Sequence, residues 1–238
     1  MEFQTGTTIS DKTYTAGARV NQEFTSAFDQ GLPTLPKVTI TTPEPGDTIY
    51  PREVTYSIAG LPAGLYMNHD RVIRGIPEAA TSEAVTVTYT ASVDIDEYIL
   101  SESKLTEDVF SGSASLTFKV TVNPAVTFGE AATTFLDSKI ITWVDGGWRD
   151  AGADGTITFP EASGGTGTIT YRLIHNKSQQ PLADVANGIT FNTTTRKLGG
   201  TPEASAQKQW GVRYWAEDEN GSRAGHSLAI HAGGWGGL

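Results

Sequence analysis

The residues best suited to bind a metal ion lie in one acidic stretch, residues 94–110. Calcium takes roughly six to eight oxygen ligands, and carboxylates two positions apart on a strand share one face. The stretch lacks the spacing and the glycine of an EF-hand loop. We therefore expect a solvated, extended hairpin and no cofactor, with structural calcium as the alternative. The carboxylates belong to Asp94, Asp96, Glu97, Glu102, Glu107 and Asp108.

No pattern of nucleophiles, bases or acids predicts catalysis. His226 and His231 are five positions apart, so on one strand their side chains would lie on opposite faces. The chain has no Gly-x-Ser-x-Gly elbow, and the glycines at 164–167 lack a phosphate-binding Lys-Ser/Thr and indicate a hairpin turn. Sequence alone pairs no two carboxylates as a glycosidase requires. We expect no catalytic residues and a protein that is not an enzyme.

The five tryptophans all lie in the second half of the chain, and they are the best candidates for binding a partner. Trp210 shares the alternation of Val212 and Tyr214, which predicts a core position. Trp215 falls on the opposite face with Arg213, where a large aromatic ring is unusual in water. We expect it to pack within the chain, under residues 143–155 or the C-terminal tail, or against a protein partner. Stacking on a sugar is the weaker alternative. The predicted partner-binding residues are Trp148, Trp215 and Trp235.

Composition excludes several classes of protein. The 238 residues carry a net charge of −10 and no lysine or arginine cluster, so nucleic acid is not an expected partner. The absence of cysteine excludes disulfides and cysteine-ligated zinc. No stretch approaches the ~20 apolar residues of a membrane span, so we expect no membrane insertion. The first residues also lack the basic start and apolar run of a signal peptide.

The elements that must position these residues come from an internal repeat. Residues 71–79 (RVIRGIPEA) match residues 196–204 (RKLGGTPEA), 125 positions further along. Without a gap, the match continues into a segment where Val87, Tyr89 and Ala91 correspond to Val212, Tyr214 and Ala216. Two copies of one unit predict two domains.

Within each copy, the apolar residues alternate with polar ones. Val87, Tyr89 and Ala91 are separated by threonines, and residues 116–122 repeat the pattern. Strict alternation predicts strands with one buried and one solvated face. Glycine- and proline-rich turns separate the runs, and no amphipathic helix of ten residues or more is apparent. The pattern predicts an all-β sandwich fold.

The two copies resemble the putative-Ig or dystroglycan-type cadherin-like repeats. In that family an LPAGL turn is followed by a hairpin ending in GTP and by an alternating strand. This chain has LPAGL at 61–65, GIP at 75–77 and GTP at 200–202. The resemblance implies two tandem immunoglobulin-like (cadherin-like) β-sandwich domains, a fold that often binds calcium between repeats. Asn123 and Pro124 mark the boundary, because proline cannot extend a strand ladder.

We therefore expect domains at 1–124 and 125–238. The first carries the acidic insertion 94–110. The second carries a tryptophan-rich insertion at 143–155 and a glycine-rich tail at 233–238. Both insertions depart from the family pattern.

The expected function is that of a non-enzymatic virion structural protein in a phage tail, fibre or capsid decoration. Its partners would be other structural subunits or a host-surface ligand within an oligomeric assembly. This expectation rests on the native-looking Met1, the missing export signal and cysteine, and Trp235, which lies between glycine pairs like an anchor. One alternative is a fragment of a bacterial adhesin, on the cell surface or secreted and stiffened by calcium. Another is a carbohydrate-binding module.

Overall fold

The chain divides into two compact units, Met1–Asn123 and Pro124–Leu238. The computed structural model describes residues 6–21, 34–38, 54–93, 112–138, 141–144, 147–150, 153–154, 157–203 and 209–232. The acidic stretch 94–110 and the tail with Trp235 lie outside these ranges. None of the helices within them is long and apolar enough to cross a bilayer.

The first unit is built from a four-stranded sheet and a separate hairpin. The sheet order is β1-β6-β5-β2, with β1 parallel to β6 and the other neighbours antiparallel; β3 and β4 form the hairpin. The strands are β1 (Lys12–Thr15), β2 (Thr55–Ala59), β3 (Leu65–Met67), β4 (Ile73–Gly75), β5 (Val85–Val93) and β6 (Gly112–Asn123).

The second unit repeats this plan with two strands added at one edge, because its β7 pairs in parallel with β14 as β1 does with β6. Its main sheet has the order β10-β13-β14-β7-β8-β9, and β11 pairs with β12 in a hairpin. The strands are β7 (Ile141–Val144), β8 (Gly147–Asp150), β9 (Ala153–Asp154), β10 (Thr170–His175), β11 (Ile189–Asn192), β12 (Lys197–Gly200), β13 (Gln209–Glu217) and β14 (Arg223–Ala232). The helices are α1 (Glu130–Ser138) and α2 (Leu182–Val185).

Burial follows the alternation of the sequence. On β5, Val87, Tyr89 and Ala91 are fully buried, while the intervening threonines are not. On β13, the corresponding Val212, Tyr214 and Ala216 are equally buried. The prediction of an all-β protein with tandem units is thereby confirmed. Helix α1, nine residues long, contributes Leu136 to the core of the second unit.

One cluster of tyrosine, arginine and proline holds the first unit together. Arg71 has a left-handed backbone (φ 62°), and its Nε donates to the Leu35 carbonyl oxygen at 3.1 Å. Its guanidinium lies 5.2 Å from the ring centre of Tyr56, which stacks on Tyr89. The Tyr89 hydroxyl donates to the Pro36 carbonyl oxygen at 2.8 Å. A buried tyrosine thus has both its ring and its hydroxyl satisfied.

The second unit contains the same cluster. Arg196 (φ 57°) donates from Nε to the Phe159 carbonyl oxygen at 3.1 Å and lies 5.4 Å from the ring centre of Tyr171. Tyr171 stacks on Tyr214, whose hydroxyl donates to the Pro160 carbonyl oxygen at 2.8 Å. The repeat therefore preserves a three-dimensional contact set as well as a sequence pattern.

The small hairpins depend on glycine. Gly64 and Gly75 have φ values of 85° and 116°; a Cβ on Gly75 would collide with the Gly64 carbonyl oxygen, and a Cβ on Gly64 would collide with the Ile76 carbonyl oxygen. Gly188 and Gly200 repeat this arrangement in the second unit. Glycine is required because the backbones approach closely in a conformation that other residues rarely adopt.

Candidate functional site

The candidate site is the outer surface of the main sheet of the second unit, around Trp215. Residues of β13 point alternately inward and outward, so Trp210 lies in the core while Trp215 lies on the other side. Trp215 is half-buried, and the strand register places it between Arg172 on β10 and Gly225 on β14. We call this surface the Trp215 face; it comprises Arg172, Arg213, Trp215, Glu217, Arg223, Gly225 and Ser227.

Gly225 explains how a large ring can lie flat on the sheet. A Cβ at Gly225 would be 2.8 Å from the nearest carbon of the Trp215 ring. Since Gly225 has no side chain, the indole packs over the backbone of β14. This packing accounts for its partial burial, because one side of the ring rests on the sheet.

Arg213 flanks the same ring. Its guanidinium carbon lies 5.0 Å from the ring centre of Trp215, within the range of a cation–π contact. Its Nε also donates to the Ser227 hydroxyl oxygen at 3.4 Å, a long hydrogen bond. The Arg213 side chain is exposed, so these contacts orient a charge that remains available to a partner.

The face is cationic on an acidic protein. Arg172, Arg213 and Arg223 are opposed only by Glu217, which pairs with Arg223 at 2.8 Å. Three positive charges and one negative charge give +2 on this face, whereas the whole chain carries −10. The surface can therefore stack an apolar or planar group on the indole and bind a carboxylate next to it.

The equivalent face of the first unit has different chemistry. Arg172, Trp215 and Gly225 form one row across the sheet, and the repeat places Ser57, Thr90 and Ser115 in the corresponding row. The Thr90 and Ser115 hydroxyls lie 2.9 Å apart, and the Thr55 and Ser92 hydroxyls 2.8 Å apart. The fold itself therefore requires neither the tryptophan nor the arginines of the Trp215 face.

The other tryptophans lie elsewhere in the second unit. Trp143 on β7 is partly buried against the core, and Trp148 on β8 is its register partner. Strands β7 to β9 extend the sheet beyond β14. Trp148 lies on β8, two strands beyond β14 in the sheet order, and the predicted binding residue Trp235 lies outside the described residues.

No metal centre is formed by the part of the chain that the structure describes: it holds no group of three or more histidine and acidic side chains close enough to bind an ion. His226 pairs with Asp137 of α1 at 3.1 Å and so joins β14 to the helix. The predicted calcium alternative concerns residues 94–110, outside the described ranges.

Sequence reasoning found Trp215 and Arg213 but missed Arg172 and Gly225. Alternation along β13 placed Trp215 and Arg213 on one face without reference to any partner strand. Arg172 and Gly225 reach the site through the register of β10 and β14. For Arg172, the repeat contains a signal: aligning Tyr171 with Tyr56 shows that an arginine replaces Ser57 in the second copy.

The fold and this face define an all-β protein with tandem sandwich units and a flat, cationic and aromatic surface. Distant structural similarity connects it to cadherin repeats. A mouse clustered protocadherin structure, PcdhgC3 EC1-3, matches 98% of this chain and 67% of its own, with 13% identity and a TM-score of 0.32.

For PcdhgB3 EC1-4, the coverage is 97% of this chain and 50% of that chain, with 13% identity and a TM-score of 0.30. For Drosophila N-cadherin EC1-4, the match covers 77% of this chain and 42% of that chain, with 11% identity and a TM-score of 0.28. The chain thus spans between 42% and 67% of these structures. No family model and no curated protein matches it in sequence.

Proposed function

We propose that this protein is a non-enzymatic structural component that binds a neighbouring protein through the Trp215 face. The observation that carries the proposal is the row Arg172, Trp215 and Gly225, where the repeated unit has only small hydroxyl side chains. A tryptophan half-open to water beside an arginine is a typical anchor of a protein interface. The face is the outer surface of a β-sheet, whereas small substrates usually bind in concave pockets.

The partner should present acidic side chains around an apolar patch. The face carries +2 on a chain of −10, so charge complementarity favours an acidic surface. Because Trp215 and Ser227 already restrain the Arg213 side chain, it loses less conformational entropy on binding a carboxylate than an unrestrained arginine would.

The setting we propose is a phage particle, in which the chain is a tail, fibre or capsid-decoration component. A bacterial surface adhesin is the alternative. Tandem β-sheet units without cysteine fit both settings, because units of more than 100 residues do not need disulfides for stability. Fractionation of a source lysate on a density gradient separates them. Migration with DNA-containing particles supports the virion, whereas migration with the cell envelope contradicts it.

The binding face can be tested by site-specific cross-linking, because the chain has no cysteine of its own. Ser227→Cys places one thiol on the Trp215 face, and Thr117→Cys places one at the equivalent position of the first unit. Each variant carries a benzophenone label, is irradiated in the source lysate, and its adducts are identified by mass spectrometry.

We expect the Ser227→Cys probe to capture one acidic structural protein. Adding Trp215→Thr, which installs the residue of the first unit, should reduce capture about tenfold, as expected for the loss of an interface anchor. Thr90→Ala on the other unit is the matched control and should change nothing. Equal capture by both thiols, or capture that survives Trp215→Thr, would refute the proposal.

A further inference from the structure

A second site lies in the first unit, beside the β3–β4 hairpin. It is a cleft of about 350 Å³ between the hairpin and the segment that precedes it in sequence. Its lining residues are Arg19, Val20, Asn21, Tyr66, Arg74, Gly75 and Ile76. None of them belongs to the Trp215 face, so this site goes beyond the proposed function.

The cleft exposes apolar surface that the fold would ordinarily bury. Among the described residues, the exposed large hydrophobic side chains are Tyr66, 56% exposed, and Ile76, 40% exposed. Both line this one cleft. Single exposed apolar residues are common, but two that border one concavity indicate a binding surface.

The second unit shows that these side chains are not needed for folding. Its hairpin has the same register, in which Thr190 opposes Gly199 as Tyr66 opposes Arg74. Thr201 occupies the position of Ile76. One copy of the hairpin thus carries an aromatic, an aliphatic and a cationic side chain where the other carries small ones.

The described residues that line the cleft carry positive charge. Arg19 is exposed, and Arg74 is buried with its Nη1 donating to the Asn21 carbonyl oxygen at 2.6 Å. No acidic residue is among the described residues that line it. Two guanidinium groups next to an apolar surface, on a chain of net charge −10, complement a carboxylate attached to an apolar group.

The backbone around the cleft is already paired, which restricts how a ligand can bind. Strand β4 pairs with β3 on one side. On its other side, the Val20 amide donates to the Gly75 carbonyl oxygen at 2.9 Å, and the Asn21 Nδ2 donates to the Ile73 carbonyl oxygen at 2.9 Å. An incoming strand could not pair with β4, so recognition must use side chains.

We propose that this cleft binds an acidic peptide segment of a partner protein, with an apolar side chain against Tyr66 and Ile76 and a carboxylate on Arg19. The protein would then hold a partner on each unit, at two surfaces of different shape. The probe is a fluorescein-labelled peptide of four Glu-Glu-Leu repeats, and the matched control peptide has lysine in place of each glutamate. Binding is measured by fluorescence anisotropy with the full chain.

We expect the acidic peptide to bind and the lysine peptide not to bind. Tyr66→Thr with Ile76→Thr should weaken binding about tenfold, and so should Arg19→Glu alone. The threonine pair is what the second unit carries at these positions, and Arg19 is a surface residue, so both variants should melt as the wild type does. Binding that persists in Trp215→Thr and is weakened by the cleft variants separates this site from the Trp215 face. Added salt should weaken binding, because exposed charges are screened.

Three results would overturn the proposal. The first is the absence of binding by the acidic peptide. The second is binding that is unaffected by either cleft variant. The third is dimerisation of the wild type in analytical ultracentrifugation that the cleft variants abolish, because a second copy of the chain would then fill the cleft.

Discussion

Removing the buried Asp218 carboxylate should destabilise the second unit more than removing an exposed carboxylate. Asp218 lies at the end of β13 and is 5% exposed. Its Oδ1 accepts hydrogen bonds from the amides of Asn220 at 3.1 Å and Ser222 at 2.7 Å, and its Oδ2 accepts one from the Thr166 amide at 2.8 Å. One buried carboxylate therefore joins the turn before β14 to the loop before β10.

The magnitude follows from these three bonds. A hydrogen bond to a charged group contributes ~1.5–3 kcal/mol net, and an amide left buried without an acceptor adds to the loss. The Ser222 amide is the most buried of the three, whereas the amides of Thr166 and Asn220 can reach water after some rearrangement. We therefore expect Asp218→Ala to cost ~3–5 kcal/mol, a large part of the stability of a typical domain.

Urea titration followed by tryptophan fluorescence measures this loss directly. All five tryptophans lie at or beyond Trp143, so the signal reports only the second unit. Glu219→Ala is the matched control: it removes the neighbouring carboxylate, which is exposed and accepts one amide, that of Thr168, at 2.9 Å. A loss below ~1 kcal/mol for Asp218→Ala, or one no larger than that of Glu219→Ala, would refute the reasoning.

Three further outcomes can be checked on the same protein. Tyr214→Phe should lower the free energy of unfolding of the second unit by ~1 kcal/mol, since it leaves the Pro160 carbonyl oxygen without its donor. Tyr89→Phe is the equivalent change in the first unit, so it should not shift the urea midpoint of tryptophan fluorescence, which reports the second unit. Gly200→Ala should lower the melting temperature in calorimetry, because the new methyl group would collide with the Gly188 carbonyl oxygen. Burial raises the pKa of Tyr14 to about 12 and raises the pKa values of the Tyr89 and Tyr214 hydroxyls above their usual range. The folded state thus holds these protons more tightly than the unfolded state, so the tyrosine contribution to stability is fully present below pH ~10 and is lost as the pH rises above it. Circular dichroism should show stability falling above pH ~10, and retained stability at strongly alkaline pH would contradict this.

Part of the site was predictable from a single strand. The order of residues along β13 determines that Trp215 and Arg213 share one face and that Trp210 lies on the other, because strand side chains alternate whatever the neighbouring strands are. The contacts that make the face distinctive were not predictable in this way. Gly225 provides space for the indole only because β14 pairs with β13 in one particular register, and a shift by one residue would place Ala224 or His226 there.

The position of the second-unit insertion at 143–155 was likewise not predictable from the sequence. Its composition indicated an added segment with two tryptophans, and we expected this segment, the C-terminal tail or a protein partner to pack on Trp215. In the structure, β7 pairs in parallel with β14, and β8 and β9 follow, so the segment widens the sheet. A parallel pairing between distant segments depends on which sheet edge is open, and local sequence does not encode that.

Local sequence patterns specify that the chain is all-β, that one unit occurs twice, and which residues of β5 and β13 are buried. These properties follow from the period of two along each strand and from the glycines at the turns, and both are local. The tertiary structure alone decided which side chains meet on the Trp215 face and that Tyr66 and Ile76 border one cleft with Arg19. Those encounters depend on the lateral register of strands and on packing between segments far apart in the chain, which form only when the whole sheet has assembled.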